Sequence, residues 1–239
     1  MCQVTIDSWQ YGSLWLMAKR GRGETLSVDV CEKLRLDIFD RRLSPGERLK
    51  AAELGQRFGV SISVMREALG QLAGEDLVVI ERNRGFHVTT LSSEALSSLT
   101  EARKIAEGAA LRLSVQRGDV AWESEVLAAH HLLASEPIYD PNDGTARNKR
   151  WVEAHLAFHY KLIEGCANQV LLDMCARLSN MAELYRAWSS HTKESVKRDV
   201  AAEHRALMEA ALAHHTDLAV ARFEAHLERT AELALQASG

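Results

Sequence analysis

The chain has 239 residues, of which 46% are hydrophobic and 26% are charged, so it is long enough for one large or two smaller globular domains. Its formal net charge of −4 argues against binding nucleic acid through bulk positive charge, so a DNA-binding surface would have to be a local basic patch. The four cysteines form no C-x-x-C pair, which argues against a disulfide framework or a cysteine zinc site and favours a reducing cytoplasm.

The chain begins with a segment that carries no signal for regular structure. Residues 1–24 lack the roughly 18 consecutive apolar residues that a membrane span needs, and they are predicted to be a disordered arm. The alternative is that they precede the native start of the protein. The first helix is predicted from Ser27 to Asp40, because a serine suited to an N-cap precedes apolar residues at helical spacing.

Two short helices are predicted next. One runs from Ala51 to Phe58 and is followed by Gly59, since a helix C-terminus favours glycine there. Ser61 or Ser63 then caps a third helix. Its predicted buried stripe consists of Met65, Ala68, Leu69 and Leu72. Two helices joined by such a turn are typical of a helix-turn-helix.

The segment after the third helix is predicted to form a β-hairpin. Two β-rich runs, 77–81 and 86–90, flank the basic turn of residues 82–85, and this turn is the local basic patch that the low net charge requires. Beyond residue 91 the pattern is helical, with one irregular stretch at 136–146. The predicted helices lie near 93–117, 120–135, 147–166, 168–192, 194–213 and 216–237. The fold class is therefore mostly α: a winged helix-turn-helix of three helices and a hairpin wing, followed by an all-α helical bundle.

Motifs in the N-terminal part occur in a fixed order. They are Ser44-Pro45-Gly46-Glu47-Arg48-Leu49, Glu53-Leu54 with Phe58-Gly59-Val60-Ser61, Val64-Met65-Arg66-Glu67-Ala68-Leu69 with Leu72, and Arg84-Gly85-Phe86 with Val88. With these motifs, residues 27–91 resemble the GntR superfamily of repressors. The resemblance implies a winged helix-turn-helix DNA-binding domain over residues 25–91.

Motifs in the remainder form a second resemblance. They are Arg103 with Glu107, His155-Leu156-Ala157-Phe158-His159, Gly165 with Asn168, Glu203-His204 and His226-Leu227. They resemble the FCD branch, whose sensor is named for the fatty-acid regulator FadR, and this implies an all-helical effector-binding and metal-binding domain over residues 92–239. Within the branch, Trp151, His155 and Phe158-His159 are most similar to the carbon-starvation-induced (CsiR-like) regulators of short dicarboxylate catabolism.

The start of the third helix is the predicted base-reading surface, because the second helix of a helix-turn-helix meets the DNA with its N-terminal residues. Arg66 is expected to bind a guanine in a bidentate fashion or to hold a phosphate, and Ser61 and Ser63 are expected to hold phosphate. The alternative for Arg66 is an ion pair with Glu67 or another acidic residue.

Two positions depart from the family pattern and affect the DNA sequence that would be recognised. Ile62 stands where the family often carries an arginine, and Ala52 stands where a polar or basic contact is common. Ile62 can instead contact a thymine methyl. At the wing, Arg84 and Gly85 suit insertion beside the minor groove, the alternative being a plain hairpin turn. A homodimer on a pseudo-palindromic operator is expected, since one monomer offers too small a contact.

Four histidines stand at family positions and predict a metal site. His155 and His159 are four residues apart and share a helix face, while His204 and His226 fall on two later helices. Imidazoles that converge from facing helices suit zinc or nickel. The family usually carries an aspartate where this chain has His155. If His155 binds the ion as a fourth neutral ligand, the ion keeps its full charge and favours an anionic effector. The alternative is that His155 stays outside a three-histidine site. Five further histidines are predicted to be solvated: His130, His131, His191, His214 and His215.

The predicted effector is a small carboxylate. Arg103 and Arg186 are the candidates to bind it, because a guanidinium matches a carboxylate bidentately; Arg186 can alternatively be a surface residue. The chain is thus predicted to be a cytoplasmic transcriptional repressor that a carboxylate releases from DNA. One alternative is a metal-free sensor of a bulkier ligand such as acyl-coenzyme A. A zinc hydrolase is disfavoured, because the His-Glu-x-x-His arrangement is missing from the sequence, and no enzyme activity is expected.

Overall fold

A computed structural model describes residues 26–188 and 198–237, so the predicted arm of residues 1–24 lies outside the described residues. The described part is mostly helical, with an N-terminal winged helix-turn-helix followed by an all-helical domain apart from one small hairpin. No described helix is long and apolar enough to cross a membrane.

The helices that the structure describes agree closely with the predicted ones. They are α1 (Leu26–Phe39), α2 (Ala51–Phe58), α3 (Ile62–Gly74), α4 (Ser93–Arg117), α5 (Val120–Ser135), α6 (Lys149–Glu164), α7 (Gln169–Trp188), α8 (Val200–Leu212) and α9 (Thr216–Ala237). The described strands are β1 (Arg48–Leu49), β2 (Val78–Glu81), β3 (Gly85–Val88), β4 (Tyr139–Asp140) and β5 (Asp143–Arg147). The helix predicted over 194–213 is present from Val200, after Asp199, whose side chain caps it by accepting from the amide of Ala202.

The helix-turn-helix is closed by the two predicted capping residues. Gly59 lies in the left-handed region at φ 68° and its N–H donates to the carbonyls of the last turn of α2. The Ser61 side chain accepts from the amide of Val64 at 3.3 Å, so Ser61 rather than Ser63 is the N-cap of α3. Each residue of the predicted buried stripe is 0% exposed: Met65, Ala68, Leu69 and Leu72.

The wing is a three-stranded antiparallel sheet in the order β1-β3-β2. The predicted hairpin is formed by β2 and β3, with Val79 opposite His87. Strand β1 was not predicted, because two residues cannot display an alternating pattern. It adds to the sheet by pairing Leu49 with Phe86, and Leu49 is thereby buried.

The described residues fall into two compact units. One consists of residues 26–106, 173–188, 198 and 224–237 and contains the winged helix-turn-helix. Its core gathers Leu34 and Ile38 from α1, Leu69 from α3 and, from the distant helix α7, Leu184 at 1% exposure. The N-terminal domain is therefore completed by a residue of the C-terminal part of the chain.

The other unit consists of residues 107–172 and 199–223 and is built on packed helices α5, α6 and α8. Trp122 of α5 donates from Nε1 to the carbonyl of Lys161 at 2.9 Å. A Cβ at Gly165 would lie 2.9 Å from Trp122 Cδ1, so only glycine lets the end of α6 approach the indole this closely. The glycine of the family motif thus has a packing role that fixes the position of α6.

The stretch 136–146 was predicted to be irregular, and this is wrong for its second half. Strands β4 and β5 form a two-stranded antiparallel ladder, with a turn in which Asn142 donates its amide to Asp140 Oδ1 at 2.8 Å. The prolines and asparagine that suggested a loop instead precede the hairpin and make its turn. Asn148 follows and caps α6 by accepting from the amide of Arg150.

Candidate metal centre and DNA-binding surface

Three of the predicted metal ligands meet inside one compact unit. His155 and His159 lie on α6 and His204 lies on α8, and their residues are 5%, 7% and 2% exposed. The ring centroids are 4.4 Å apart for His155 and His159, 5.1 Å for His155 and His204, and 5.3 Å for His159 and His204. The three imidazoles therefore converge on one buried point.

The distance between two ring nitrogens matches a shared ion. Nε2 of His159 lies 3.4 Å from Nε2 of His204. Two imidazole nitrogens held at about 2.0–2.1 Å from a tetrahedral zinc ion are roughly 3.3–3.4 Å apart. This pair therefore already has the separation that tetrahedral coordination requires.

Aromatic side chains hold these rings in place. Trp151 stacks on His155, with centroids 4.7 Å apart and an interplanar angle of 17°. Phe158 meets His204 edge-on at 5.4 Å, and Phe223 lies 5.6 Å from His159. Because Phe158 and Phe223 are 0% exposed, the histidines are oriented by a rigid apolar wall rather than by solvent.

The fourth predicted ligand, His226 of α9, is 7% exposed and belongs to the other compact unit. Its role as a ligand beside the three converging histidines stays a prediction. Arg198 contacts His226 directly, because its Nη2 lies 3.1 Å from His226 Nδ1 and 3.1 Å from the His226 carbonyl oxygen. Its Nη1 lies 3.0 Å from Thr230 Oγ1. Nothing in the local sequence distinguished Arg198 from other arginines, so sequence reasoning missed it.

The donor set suits a borderline divalent ion. All four predicted ligands are histidines, and imidazole nitrogens suit zinc, copper, iron and nickel. An ion held by neutral ligands only keeps its full double charge, which favours an anionic group at any open coordination position. The His155 ring lies beside the rings of His159 and His204, and whether it ligates the ion stays a prediction.

The two arginines predicted to bind the effector are both buried. Arg103 on α4 and Arg186 on α7 are each 6% exposed. The alternative of a surface role for Arg186 is therefore wrong. Its Nε donates to Glu183 Oε2 at 2.7 Å in a buried ion pair within α7.

The predicted base-reading residues lie at the exposed start of α3. Ile62 is the first residue of the helix and is 48% exposed, while Ser63 and Arg66 are exposed one and four positions later. Within 26–188 and 198–237, Arg66 makes no hydrogen bond or ion pair, whereas Glu67, its proposed alternative partner, accepts from Ser27 Oγ at 2.9 Å. Arg66 is thus available to an external acceptor.

The predicted wing tip is also exposed. The side chain of Arg84 is 77% exposed and touches only Glu81, at 3.4 Å, among the contacts that the structure gives it. Gly85 adopts φ 89°, a left-handed backbone conformation that favours glycine, and no other atom comes within 4 Å of its missing Cβ position. The tip is therefore a protruding basic turn with open space around it.

Comparisons with known proteins agree with these two halves. Residues 26–88 match the family model for bacterial regulatory proteins of the gntR family, and residues 98–229 match the FCD domain. The chain is 33% identical over 204 residues to the HTH-type transcriptional repressor GlaR of Escherichia coli (strain K12), covering 84% of this chain and 92% of GlaR. It is 32% identical over 206 residues to the HTH-type transcriptional regulator BphR of Paraburkholderia xenovorans (strain LB400), covering 86% of this chain and 83% of BphR.

A solved structure supports the same fold. The crystal structure of a GntR regulator from Rhodococcus sp. RHA1 superposes with a TM-score of 0.68 at 23% identity, covering 88% of this chain and 98% of that chain. The relatives with curated names are transcriptional regulators, so the chain is not an enzyme. The chain belongs to the GntR family of bacterial regulatory proteins, carries an FCD domain, and is a DNA-binding transcriptional regulator.

Proposed function

We propose that the protein is a homodimeric, cytoplasmic repressor that binds a pseudo-palindromic operator, holds a zinc or nickel ion at His155, His159, His204 and His226, and is released from DNA by a small carboxylate. The observation that carries the metal part is the 3.4 Å separation of the Nε2 atoms of His159 and His204 in a buried all-histidine group. The similarity to the repressor GlaR supports the sign of regulation. A CsiR-like role in short dicarboxylate catabolism remains part of this proposal.

The proposed division of labour follows the two family matches. In this proposal residues 25–91 bind DNA and residues 92–239 bind the metal and the effector, and these ranges contain the matched ranges of 26–88 and 98–229. Ser61, Ile62, Ser63 and Arg66 meet the major groove, and Arg84 with Gly85 enters beside the minor groove. Their exposure at the start of α3 and at the wing tip supports these roles.

A carboxylate is the proposed effector because of charge. A divalent ion with four imidazole ligands keeps its full positive charge. The surrounding interior is apolar, because Trp151, Phe158 and Phe223 line it. A buried charge is unfavourable there, so binding of an anion to the ion would be favourable. Arg103 and Arg186 are the proposed partners of the carboxylate, and their burial supports a role inside the domain. Glu183 already occupies Nε of Arg186, so a carboxylate there would have to share or replace that ion pair.

The proposal gives each group of the chain a separate task. With four histidine ligands, the bound metal would have to accept a fifth ligand, and it would then supply a Lewis-acidic position for one oxygen of the effector. The four histidines hold and orient that position, the aromatic wall excludes water from it, and the arginines select an anion. Effector binding must then stabilise one placement of the DNA-binding heads over another, since a ligand shifts an equilibrium only through its differential affinity.

Metal content is the test of the metal part. Purified protein refolded with zinc or nickel and then dialysed should retain about one metal ion per chain by elemental analysis, and His159→Ala should lower metal affinity at least about 10-fold. His131→Ala is the matched control, because His131 is an exposed histidine of α5 outside the group. Wild-type protein that stays metal-free after this treatment would contradict the proposal and favour the metal-free alternative.

The effector is tested on the metal-loaded protein. A thermal-shift series of small mono- and dicarboxylates should give one compound that raises the melting temperature, since a ligand at about 100 times its Kd adds roughly 2.7 kcal/mol of stability. The same compound should weaken binding to operator DNA in a gel-shift titration at fixed salt. A saturating compound that left operator affinity unchanged would have no coupling free energy and could not be the effector.

A further inference from the structure

We propose that the basic segment Lys19-Arg20-Gly21-Arg22 binds the phosphate backbone of DNA beside the bases that α3 reads. This inference rests on the proposed placement of α3 in the major groove. The two family matches begin at residues 26 and 98, so the role of the basic segment does not come from either of them. It gives the protein a DNA contact in addition to the recognition helix and the wing.

The sequence makes the basic segment a local concentration of positive charge. Three of its four residues are basic, and no acidic residue occurs between Asp7 and Glu24. The chain as a whole carries a formal net charge of −4, so the segment has the opposite sign to the rest of the protein. A short basic run is either solvated or paired with an anion, and DNA presents a dense array of phosphates to a protein that binds it.

The structure shows on which side of the DNA-binding domain the chain enters α1, after the basic segment. Ser27 Oγ at the start of α1 donates to Glu67 Oε1 of α3 at 2.9 Å. Eight residues later, Arg35 Nη2 donates at 2.7 Å to Oε1 of Glu75, the C-cap of α3. Because both partners advance by eight residues, α1 and α3 run in the same direction. The start of α1 therefore lies on the side of the N-terminal end of α3, which is the end that meets DNA in a helix-turn-helix.

The start of α1 is fixed in position and open to solvent. Ser27 is 2% exposed and Arg35 is 9% exposed, so the two contacts that align α1 with α3 are held inside the domain. Leu26, the first residue of α1, is 56% exposed, so the described residues do not cover the beginning of the helix. The preceding chain thus joins the domain at a defined point on the side that faces DNA.

The basic segment is close enough to this point to reach DNA. Ile62 begins α3 five residues before Glu67, which is about 7.5 Å along the helix axis. Arg22 precedes Ser27 by the same number of residues, and an extended chain of that length spans at most about 16–18 Å. Arg22 can therefore reach beyond the first turn of α3, and the rest of the segment has more chain available. The N-terminal arm of a homeodomain reaches the groove next to its recognition helix in this way.

The salt dependence of binding tests the phosphate contact directly. Each phosphate that a basic side chain neutralises changes the slope of log affinity against log salt by about 0.9, so three contacts contribute about 2–3. The full-length triple variant Lys19→Gln, Arg20→Gln, Arg22→Gln should lose this part of the slope on a DNA fragment that the wild type selects from a random pool. The difference in affinity between wild type and triple variant should shrink roughly 15- to 40-fold between about 0.05 and 0.2 M salt.

Two controls separate a phosphate contact from a change in net charge or shape. Combined Arg112→Gln, Arg150→Gln and Arg205→Gln changes the net charge equally at exposed positions of α4, α6 and α8 and should keep the wild-type slope. Arg20→Lys with Arg22→Lys keeps the charge of the segment and should also keep it, because a phosphate responds to charge. Loss of slope in either control would overturn the assignment of the basic segment to phosphate.

Hydroxyl-radical footprinting locates the contact on the DNA. Wild type should protect backbone positions beside each half-site that the triple variant leaves open, while both protect the positions around the bases that α3 reads. Equal slopes and equal footprints for the two proteins, beside weakened binding by Arg66→Ala, would refute the role of the basic segment alone. Wild-type affinity in Arg66→Ala would instead refute the proposed placement of α3, together with this inference.

Discussion

Arg41 donates from Nε to the carbonyl oxygen of Ala187 at 2.5 Å, and its guanidinium lies 5.9 Å from the ring centroid of Trp188. Arg41 follows the first helix of the DNA-binding domain, whereas Ala187 and Trp188 end α7. The last carbonyls of a helix have no partner within it, and a cation there also complements the helix dipole. This contact therefore ties the end of a sensor-domain helix to the DNA-binding domain, next to the buried Arg186.

Replacing Arg41 should loosen the end of α7. Arg41→Ala removes the donor to Ala187 and the cation over Trp188, so the free energy of unfolding should fall by about 1 kcal/mol. Hydrogen exchange in residues 181–188 should accelerate several-fold by mass spectrometry. Arg82→Ala, at the exposed wing, is the control and should leave exchange in α7 unchanged. Unchanged exchange in Arg41→Ala would mean that other contacts fix the helix end.

Arg66 should determine operator affinity without affecting stability. Arg66→Ala removes an exposed guanidinium at the start of the recognition helix, and one bidentate base contact is worth roughly 1–3 kcal/mol. Binding to a DNA fragment selected from a random pool by the wild-type protein should weaken at least about fivefold in gel-shift titration at fixed salt. The melting temperature should not change. The control is Arg112→Ala in α4, which should bind that fragment as tightly as wild type does. If Arg66→Ala kept the wild-type affinity, Arg66 would not be part of the DNA-binding surface.

The wing should contribute affinity that depends on salt. Arg84→Ala should weaken binding to the selected and to unrelated DNA alike and reduce the slope of log affinity against log salt by about 1, since one phosphate contact is lost. The control is Glu94→Gln at the start of α4, which also changes the net charge by one at an exposed position and should leave the slope unchanged. A slope that stayed at the wild-type value would make the wing a plain hairpin turn.

His214 is exposed, as predicted, and it should nevertheless make stability depend on pH. Its Nε2 lies 2.9 Å from Glu123 Oε1 and its Nδ1 lies 2.7 Å from the carbonyl oxygen of Val115, so both ring nitrogens donate when the ring is protonated. The hydrogen bond to Glu123, followed by the one to Val115, raises the pKa of His214 above its ordinary value of 6.5. A group whose pKa is raised by folding stabilises the protein fully below the unfolded pKa and loses that effect as the pH rises through the folded value.

The corresponding test compares two histidine variants. His214→Asn should lower the melting temperature more at about pH 5.5 than at about pH 8.5, and because the ring is exposed the loss should stay below about 1 kcal/mol. Asparagine tolerates the left-handed conformation of this position, where φ is 53°. His215→Asn, which changes the exposed neighbour, should show no such dependence. A loss for His214→Asn that is equal at both pH values would contradict a protonated His214.

Long helices and the shared helix face of His155 and His159 could be predicted because their patterns are local or repeat along the chain, whereas His204 and His226 were predicted from the family resemblance. Helical periodicity predicts α4 and α5 at the bounds that the structure gives, and the four-residue spacing of His155 and His159 indicates one shared face. Strand β1 was missed because two residues show no period. The hairpin of β4 and β5 was missed because its prolines resemble a loop.

Contacts between residues that are far apart in the sequence could not be predicted from such patterns. Arg198 meets His226 only through the packing of α9, and Leu184 has the periodicity of any buried helix residue, with no sign that it packs with the DNA-binding domain. The burial of Arg186 is of the same kind, because an arginine at the end of a helix is ordinarily solvated.

The burial of Leu184 limits how the two domains of this protein can be separated. In the whole chain Leu184 is only 1% exposed, because residues of the DNA-binding domain cover it. Cutting the chain after residue 91 would remove these neighbours and would also uncover Trp188. An excised sensor domain would therefore expose apolar surface and tend to self-associate. The same holds for chimeras in which the DNA-binding domain is exchanged for that of another regulator. A graft of that kind should fold only if the incoming domain offers a cavity that accepts a leucine at position 184, so the two domains are not interchangeable modules.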